Sequence, residues 1–363
     1  MFQHRPISAV IDRPTRRRRF WLLLIGLPML IAAASVGAWL YRANSALQAA
    51  IAEADRLDPR WRFDDLVADR AAEPPTGQNA AEKVALIKQL IPAVWPGAEM
   101  VPLFENLPPE HQLNAEQIAA VADRLKLVGP ALVEARSLVQ MPHGRYTIVY
   151  TPDWLGTNFG PVYACRDAVN LLRFDVFQKA HDGDGDGAIR CCHAVLNAGA
   201  SIGDEPNVLP QITRASVQGT AIPLLERTLA ETEPSETVLA AIQARLETVE
   251  PEPLFLYGMR GERAIVNRMF ENMRNGTVPA NYLGPGPANR PTVDDDILPR
   301  LPGYLAVQEA WHVRFTTEVI EIAKLPPERW SELVAAQEKR ADDEIKAGDA
   351  PRMAGSLIVS AQR

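Results

Sequence analysis

Apolar side chains recur every three or four residues along most of this chain, and proline, glycine and aspartate punctuate the windows in which they do so. That period belongs to helices that bury one face. One window has no polar face at all: residues 20–41, FWLLLIGLPMLIAAASVGAWLY, hold 22 consecutive positions without a charge. As a helix they would reach about 33 Å, the thickness of a bilayer's hydrocarbon core. Arg16, Arg17, Arg18 and Arg19 stand immediately before the window, and Trp21, Trp39 and Tyr41 lie near its ends. Basic residues are retained on the cytoplasmic side and aromatic rings favour the interface. The pattern therefore predicts a basic cytoplasmic tail over residues 1–19 and a single transmembrane helix over 20–41 in the plasma (inner) membrane, with the C-terminal body outside. The alternative is a secreted or periplasmic protein cleaved after a signal peptide, for which AAASVGA supplies the small residues.

The windows that follow are amphipathic. Residues 42–113 read as juxtamembrane helices and connectors: RANSALQAAIAEADRL extends the membrane helix until Asp58-Pro59, where proline excludes helical backbone from the residue before it. A further helix covers 79–91 with Asn79 as its cap. Residues 114–275 read as a body of helical hairpins. Asn114 and Gln117 have capping-box spacing, and Ile118, Val121, Leu125, Val128, Leu132, Ala135 and Val139 form one stripe, kinked or divided at Gly129-Pro130. GRYTIVYTPDWLGTNFG then interrupts the helical period, so 146–150 is a short strand or an extended loop. Later stripes run through Val162, Cys165, Val169, Leu172 and Val176; through Ala188, Cys192, Val195 and Ile202; through Val208, Ile212, Ala215, Gly219, Ile222, Leu225 and Leu229; and through Ile242, Leu246 and Val249. A Pro/Gly linker over 276–293 leads to C-terminal helices over 294–363. There Asp294, Asp295 and Asp296 favour a helix start, Trp311 falls on a core stripe, and His312 is expected to face solvent beside Glu309. The fold class this predicts is mainly α: a transmembrane helix followed by antiparallel helical hairpins, arranged as a solenoid-like array or an irregular bundle.

Composition sharpens the functional classes. At 47% apolar residues the chain can bury a sizeable core. Its net charge of −7 divides unevenly, because the first 19 residues carry six arginines against one aspartate, which leaves the body strongly acidic. An acidic body excludes nucleic acid as a partner, since phosphate backbones need a basic face. The arginines instead suit topology and anionic headgroups, making the lipid bilayer the first partner. Three cysteines, Cys165, Cys191 and Cys192, are too few for a disulfide framework.

The stretch HDGDGDGAIRCCH, residues 181–193, is the most suggestive chemically. Asp182, Asp184 and Asp186 occupy the first, third and fifth positions of a calcium loop, and Gly187 the sixth. The twelfth position, however, is His193 where a bidentate carboxylate belongs, and the ninth is Arg190. Zinc fits less well, because consecutive Cys191, Cys192 and His193 diverge on a helix. A polar turn explains more of these residues: glycine takes positive φ and aspartate meets the next helix N-terminus.

The other concentration is MPHGRYTIVYTPDW, where His143 and Asp153 are candidate acid and base beside Arg145, Tyr146 and Tyr150. Surface or packing roles for these residues are the competing reading. Asn275 begins an NGT sequon, of a kind that also arises by chance, and GPGP at 284–287 lacks the N–H groups of a phosphate cradle. No hydrolase, phosphate-loop or metal-knuckle motif occurs, and no cofactor is implied.

Two resemblances rest on these residues. GDGDGAIRCCHAVLNAGASIGDEP resembles the turn and second helix of a tetratricopeptide-type hairpin, without that repeat's aromatic positions. With LDPRWRFDDLVADR and QNAAEKV after an N-terminal anchor, the chain also resembles uncharacterised membrane-anchored helical proteins of planctomycete-type bacteria. That resemblance implies architecture and location and no activity. The expected function is a membrane-anchored extracytoplasmic helical scaffold or protein-interaction module with a protein partner. The alternatives are a hydrolase using the 143–153 loop and a divalent-cation-responsive module at 182–187.

Overall fold

The uncharged window and the amphipathic window after it form one unbroken helix, α1 (Thr15–Leu57). The structure, a computed structural model, describes residues 15–93, 95, 108–279 and 303–347. The tail before Thr15, the linker beyond residue 279, the three aspartates at 294–296 and the apolar C-terminal stretch lie outside the described residues. Every regular element among the described residues is helical, and none is a strand. The stretch 146–150 is extended and pairs with no neighbouring strand.

α1 has two halves of different character. From Leu24 to Trp39 every side chain is exposed, and the helix is long and apolar enough to cross a membrane, with mean hydropathy 1.8. From Ala43 onward it belongs to the folded body. Ala43 and Leu47 pack on Ala306 and Ala310 of α13 (Tyr304–Ala323), while Ala54 joins a cluster with Val313. The two helices therefore run parallel, held at the far end by the Lys324 ammonium donating to the Leu57 carbonyl (3.1 Å).

α2 (Phe63–Asp69) and α3 (Ala80–Leu90) follow, then α4 (Ala115–Lys126) and α5 (Gly129–Ser137). Gly129-Pro130 divides the long stripe into those last two, and the capping box forms as its spacing predicts. A single turn, α6 (Gly160–Tyr163), precedes the hairpin of α7 (Cys165–His181) and α8 (Gly185–Ala200). Around it lie α9 (Val208–Gly219), α10 (Ala221–Glu231), α11 (Glu236–Val249) and α12 (Leu254–Arg274), with α14 (Trp330–Ala347) covering α13.

α8 is the axis of this part. Arg190 alone on it is exposed, and its glycines and alanines let α7, α9, α10 and α11 close in from different sides. A Cβ on Gly199, for example, would lie 2.5 Å from the Gln218 side chain. A helix surrounded in this way makes an irregular bundle rather than an open array.

Two expectations are corrected. The stripe through Val208, Ile212, Ala215, Gly219, Ile222 and Leu229 does not face the core: Ile212, Ile222 and Leu229 are about half exposed. α9 turns Gln211, Thr213, Arg214 and Gln218 inward instead. The reason lies in the 203–205 turn, whose buried carbonyls need donors. Gln211 Nε2 donates to the Gly203 and Glu205 carbonyls at 3.0 and 2.9 Å, and Arg214 Nη1 donates to Gly203 at 2.9 Å. Leaving such groups unpaired costs about 1–3 kcal/mol each. The second correction is His312, which is buried because α1, α12 and α14 all pack around α13.

Candidate functional site

A cleft of about 520 Å³ opens where the extended segment passes between α2 and α12. Its course is set at Gly144, where a Cβ would fall 2.5 Å from the Ser201 carbonyl and 2.9 Å from the Ala81 nitrogen, so only glycine passes between α3 and the end of α8. Asn79 then holds the next residue on both sides: its Nδ2 donates to the Arg145 carbonyl and its Oδ1 accepts from the Arg145 nitrogen, each at 3.0 Å. The same Oδ1 caps α3 by accepting from Ala81 N at 3.0 Å. Tyr146 is buried with its hydroxyl 3.2 Å from Ser201 Oγ, and burial pushes its pKa upward.

Beyond it the segment presents Tyr150 edge-on to Phe63 of α2, with ring centroids 4.7 Å apart. Asn272 of α12 donates to the Pro152 carbonyl at 2.8 Å. Trp154 sits with φ of +49°, a left-handed conformation unfavourable for a bulky side chain. Phe63, Val67, Ile265 and Trp154 make the apolar lining, and Arg70, Arg145, Arg268 and Glu73 the charged part.

The charges are organised around Glu205, which is almost wholly buried. Tyr150 donates to its Oε1 at 2.6 Å and Arg70 Nη1 lies 2.8 Å from its Oε2. Burial raises the Glu205 pKa, partly opposed by Arg70 and the Tyr150 hydrogen bond; burial first and the Glu205 charge second raise that of Tyr150. Arg70 also donates through Nε to Asp204 (3.1 Å), and Arg268 pairs with Asp64 (2.6 Å). The Arg145 side chain donates to the Ala71 carbonyl (2.9 Å), and among the described residues no carboxylate forms an ion pair with it.

The sequence pointed to this segment, but its two candidate catalytic side chains are held apart in different networks. His143 is exposed and contributes its carbonyl to Ala80 N at 3.0 Å. Asp153 accepts from the Thr151 hydroxyl at 2.5 Å and from Gly156 N at 3.3 Å. No hydrogen bond joins His143 to Asp153, and His143 does not line the cleft. Arg70, Phe63, Arg268 and Asn272 reach the cleft from outside that segment. RWRFDDLVADR reads as a connector, and its dense arginines and aromatics were the available signal.

The aspartates of 181–193 form a turn. Gly183 has φ of +75°; Asp184 caps α8 by accepting from Gly187 N (2.9 Å) and pairs with Lys179 (2.6 Å). Asp182 accepts from Gln178 and Asp186 from the Ser235 nitrogen and hydroxyl, so the three carboxylates serve three different partners. The Lys179 and Ser235 hydrogen bonds are the main causes that lower the Asp184 and Asp186 pKa values respectively. Among the described residues no group of three or more His, Cys, Asp or Glu is placed to hold a metal. All three cysteines are free and buried, and Cys191 donates to Asp175 at 3.0 Å. No family model matches this sequence, and no curated protein or solved structure matches it.

Proposed function

We propose that this chain is a single-pass membrane-anchored binding module, with its N-terminus in the cytoplasm and its helical body on the outer side. The observation that carries this reading is the division of α1: sixteen exposed positions from Leu24 to Trp39 continue without a break into a half that is part of the body's core. Such a helix suits a bilayer at one end and rigid attachment at the other. A binding role is favoured because the cleft combines three arginines with aromatic and aliphatic side chains, a lining that suits a ligand with charged and apolar parts.

The test is thiol labelling in intact cells. The native cysteines are buried, so the background is low. Exposed Glu332→Cys should react with a membrane-impermeant maleimide in intact cells, and Arg13→Cys only after permeabilisation. The opposite pattern, or recovery of the chain in the aqueous fraction after lysis, would overturn the reading.

A further inference from the structure

Three features of the cleft, taken together, identify what it takes. The first is its unspent hydrogen-bonding capacity, which consists of donors. Arg70 has a side chain only 7% exposed, and its Nη2 has no acceptor. The indole N–H of Trp154 is likewise buried without one, and the Arg145 side chain spends one N–H on a backbone carbonyl and, among the described residues, pairs with no carboxylate. Buried donors without acceptors cost free energy, so an acceptor that enters the cleft and draws these side chains towards it is stabilised there. Asp204 and Glu205 hold Arg70 in place with its Nη2 left over, whereas the Arg268–Asp64 pair is exposed. Guanidinium donors match the oxygens of phosphate or carboxylate.

The second feature is the apolar part of the lining, Phe63, Val67, Ile265 and Trp154, which suits an apolar portion beside the charged group. The volume falls within the roughly 300–1,000 Å³ of small-molecule sites. The third is position. Trp154 packs into a cluster with Met273, Val278, Tyr304 and Leu305. Gly303, next to Tyr304, lies so close to Trp39 and Leu40 that a Cβ there would be 3.0 Å from each. Trp154 thus adjoins two clusters, one reaching Tyr304 beside the end of the uncharged stretch of α1 and one holding Ala54 and Trp61 of the folded body.

We propose that this cleft binds the phosphate headgroup of an anionic amphiphile at the membrane surface, with Arg145 and Arg70 on the oxyanion and Trp154 beside its glycerol or first methylenes. The proposal rests on the membrane-anchored reading for the source of the ligand, not for the chemistry of the site.

The experiment titrates the full chain, in a neutral detergent, with dihexanoyl phosphatidic acid below its micelle concentration, against dihexanoyl phosphatidylcholine and inorganic phosphate, following tryptophan fluorescence and heat. The expected result is saturable binding of phosphatidic acid at least tenfold tighter than of either comparator. Arg145→Gln, whose backbone bonds to Asn79 do not involve the side chain, should weaken it about tenfold, the loss of one charge-assisted hydrogen bond. Trp154→Phe, which removes the N–H and keeps an aromatic ring, should weaken it severalfold; circular dichroism checks that both variants fold. Equal affinity for inorganic phosphate would overturn the lipid source and leave a soluble oxyanion as ligand. No saturable binding, or binding indifferent to Arg145→Gln, would overturn the site. The two readings fail separately: a chain that stays in membranes yet binds nothing removes the site, and one that is soluble yet binds phosphatidic acid removes the anchor.

Discussion

Glu262 and His312 show how a single buried layer can hold two titratable groups without a visible cost in pH sensitivity. Both are on facing helices, α12 and α13, and both are fully buried; Glu262 Oε2 and both ring nitrogens of His312 lack hydrogen-bond partners. Burial pushes the Glu262 pKa up to about 7. Burial pulls that of His312 down to about 3, opposed by the Glu262 carbonyl and helped by the Arg263 charge. Each group is thus held neutral, but the consequences have opposite signs. Between pH 4.5 and 7 the unfolded chain ionises Glu262 while the native state keeps its proton, so stability falls as pH rises. Between pH 6.5 and 3 the unfolded chain protonates His312 while the native state does not, so stability falls as pH drops. Where the windows overlap the two slopes cancel. Glu262→Gln keeps the shape and removes one slope. Its stability relative to the parent should rise by about 3 kcal/mol from pH 4.5 to 7. Urea unfolding of both proteins across that range measures the difference, and a difference independent of pH would show that Glu262 is not held protonated.

At the scale of elements, α9 and α10 are the informative pair. Thr220 joins them in helical conformation, and Ile212, Ile222 and Leu229 are apolar side chains left about half exposed along the pair. Substituting exposed apolar residues changes fold stability by no more than about 0.5 kcal/mol. Ile222→Lys with Leu229→Lys should therefore leave the melting temperature of the purified chain nearly unchanged, as thermal unfolding measures. A fall of about 2 kcal/mol or more would mean that these side chains are internal packing. The same pair shows what the sequence could and could not convey. Helix bounds were legible because their causes are local: the Asn114 capping box, Gly129-Pro130 and the Asp184 cap all act within a few residues. Which face points inward was legible only where one neighbour covers it. For α9 the decisive partners are the carbonyls of a turn at 203–205, and for His312 they are three separate helices, none of which periodicity reports. The cleft was half legible for the same reason. Arg145, Tyr146 and Tyr150 stood out as a non-helical cluster, whereas Arg70 and Arg268 reach it from elements distant in sequence.

For the molecule as a whole, the exposed apolar half of α1 is tied to the body just beyond the helix's last turn. Asp58 is buried there, and its carboxylate receives Arg260 at 2.9 Å and Arg263 in a shorter contact. Arg263 is completely buried, stacks over Trp61 at 4.8 Å and donates to Thr317 at 3.1 Å, so one guanidinium ties together α1, the turn after it, α12 and α13. Burial lowers its pKa to about 10, with Asp58 pulling back towards the ordinary value, so it remains charged at neutral pH. The pair itself adds little over an apolar contact, because both ions were desolvated to make it. Removing one partner is different, since the other charge is left buried and unopposed. Asp58→Ala should destabilise the body by about 3–5 kcal/mol, and Asp58→Asn, which keeps a hydrogen-bond acceptor, by less. Replacing Arg263 together with Asp58 by methionine and alanine should recover part of the loss, because no orphaned charge remains. Urea unfolding of the three variants in detergent decides the matter: equal losses for the single and double replacements would mean that α1 is held by its apolar contacts with Ala306 and Ala310 and that the ion pair is incidental to the junction.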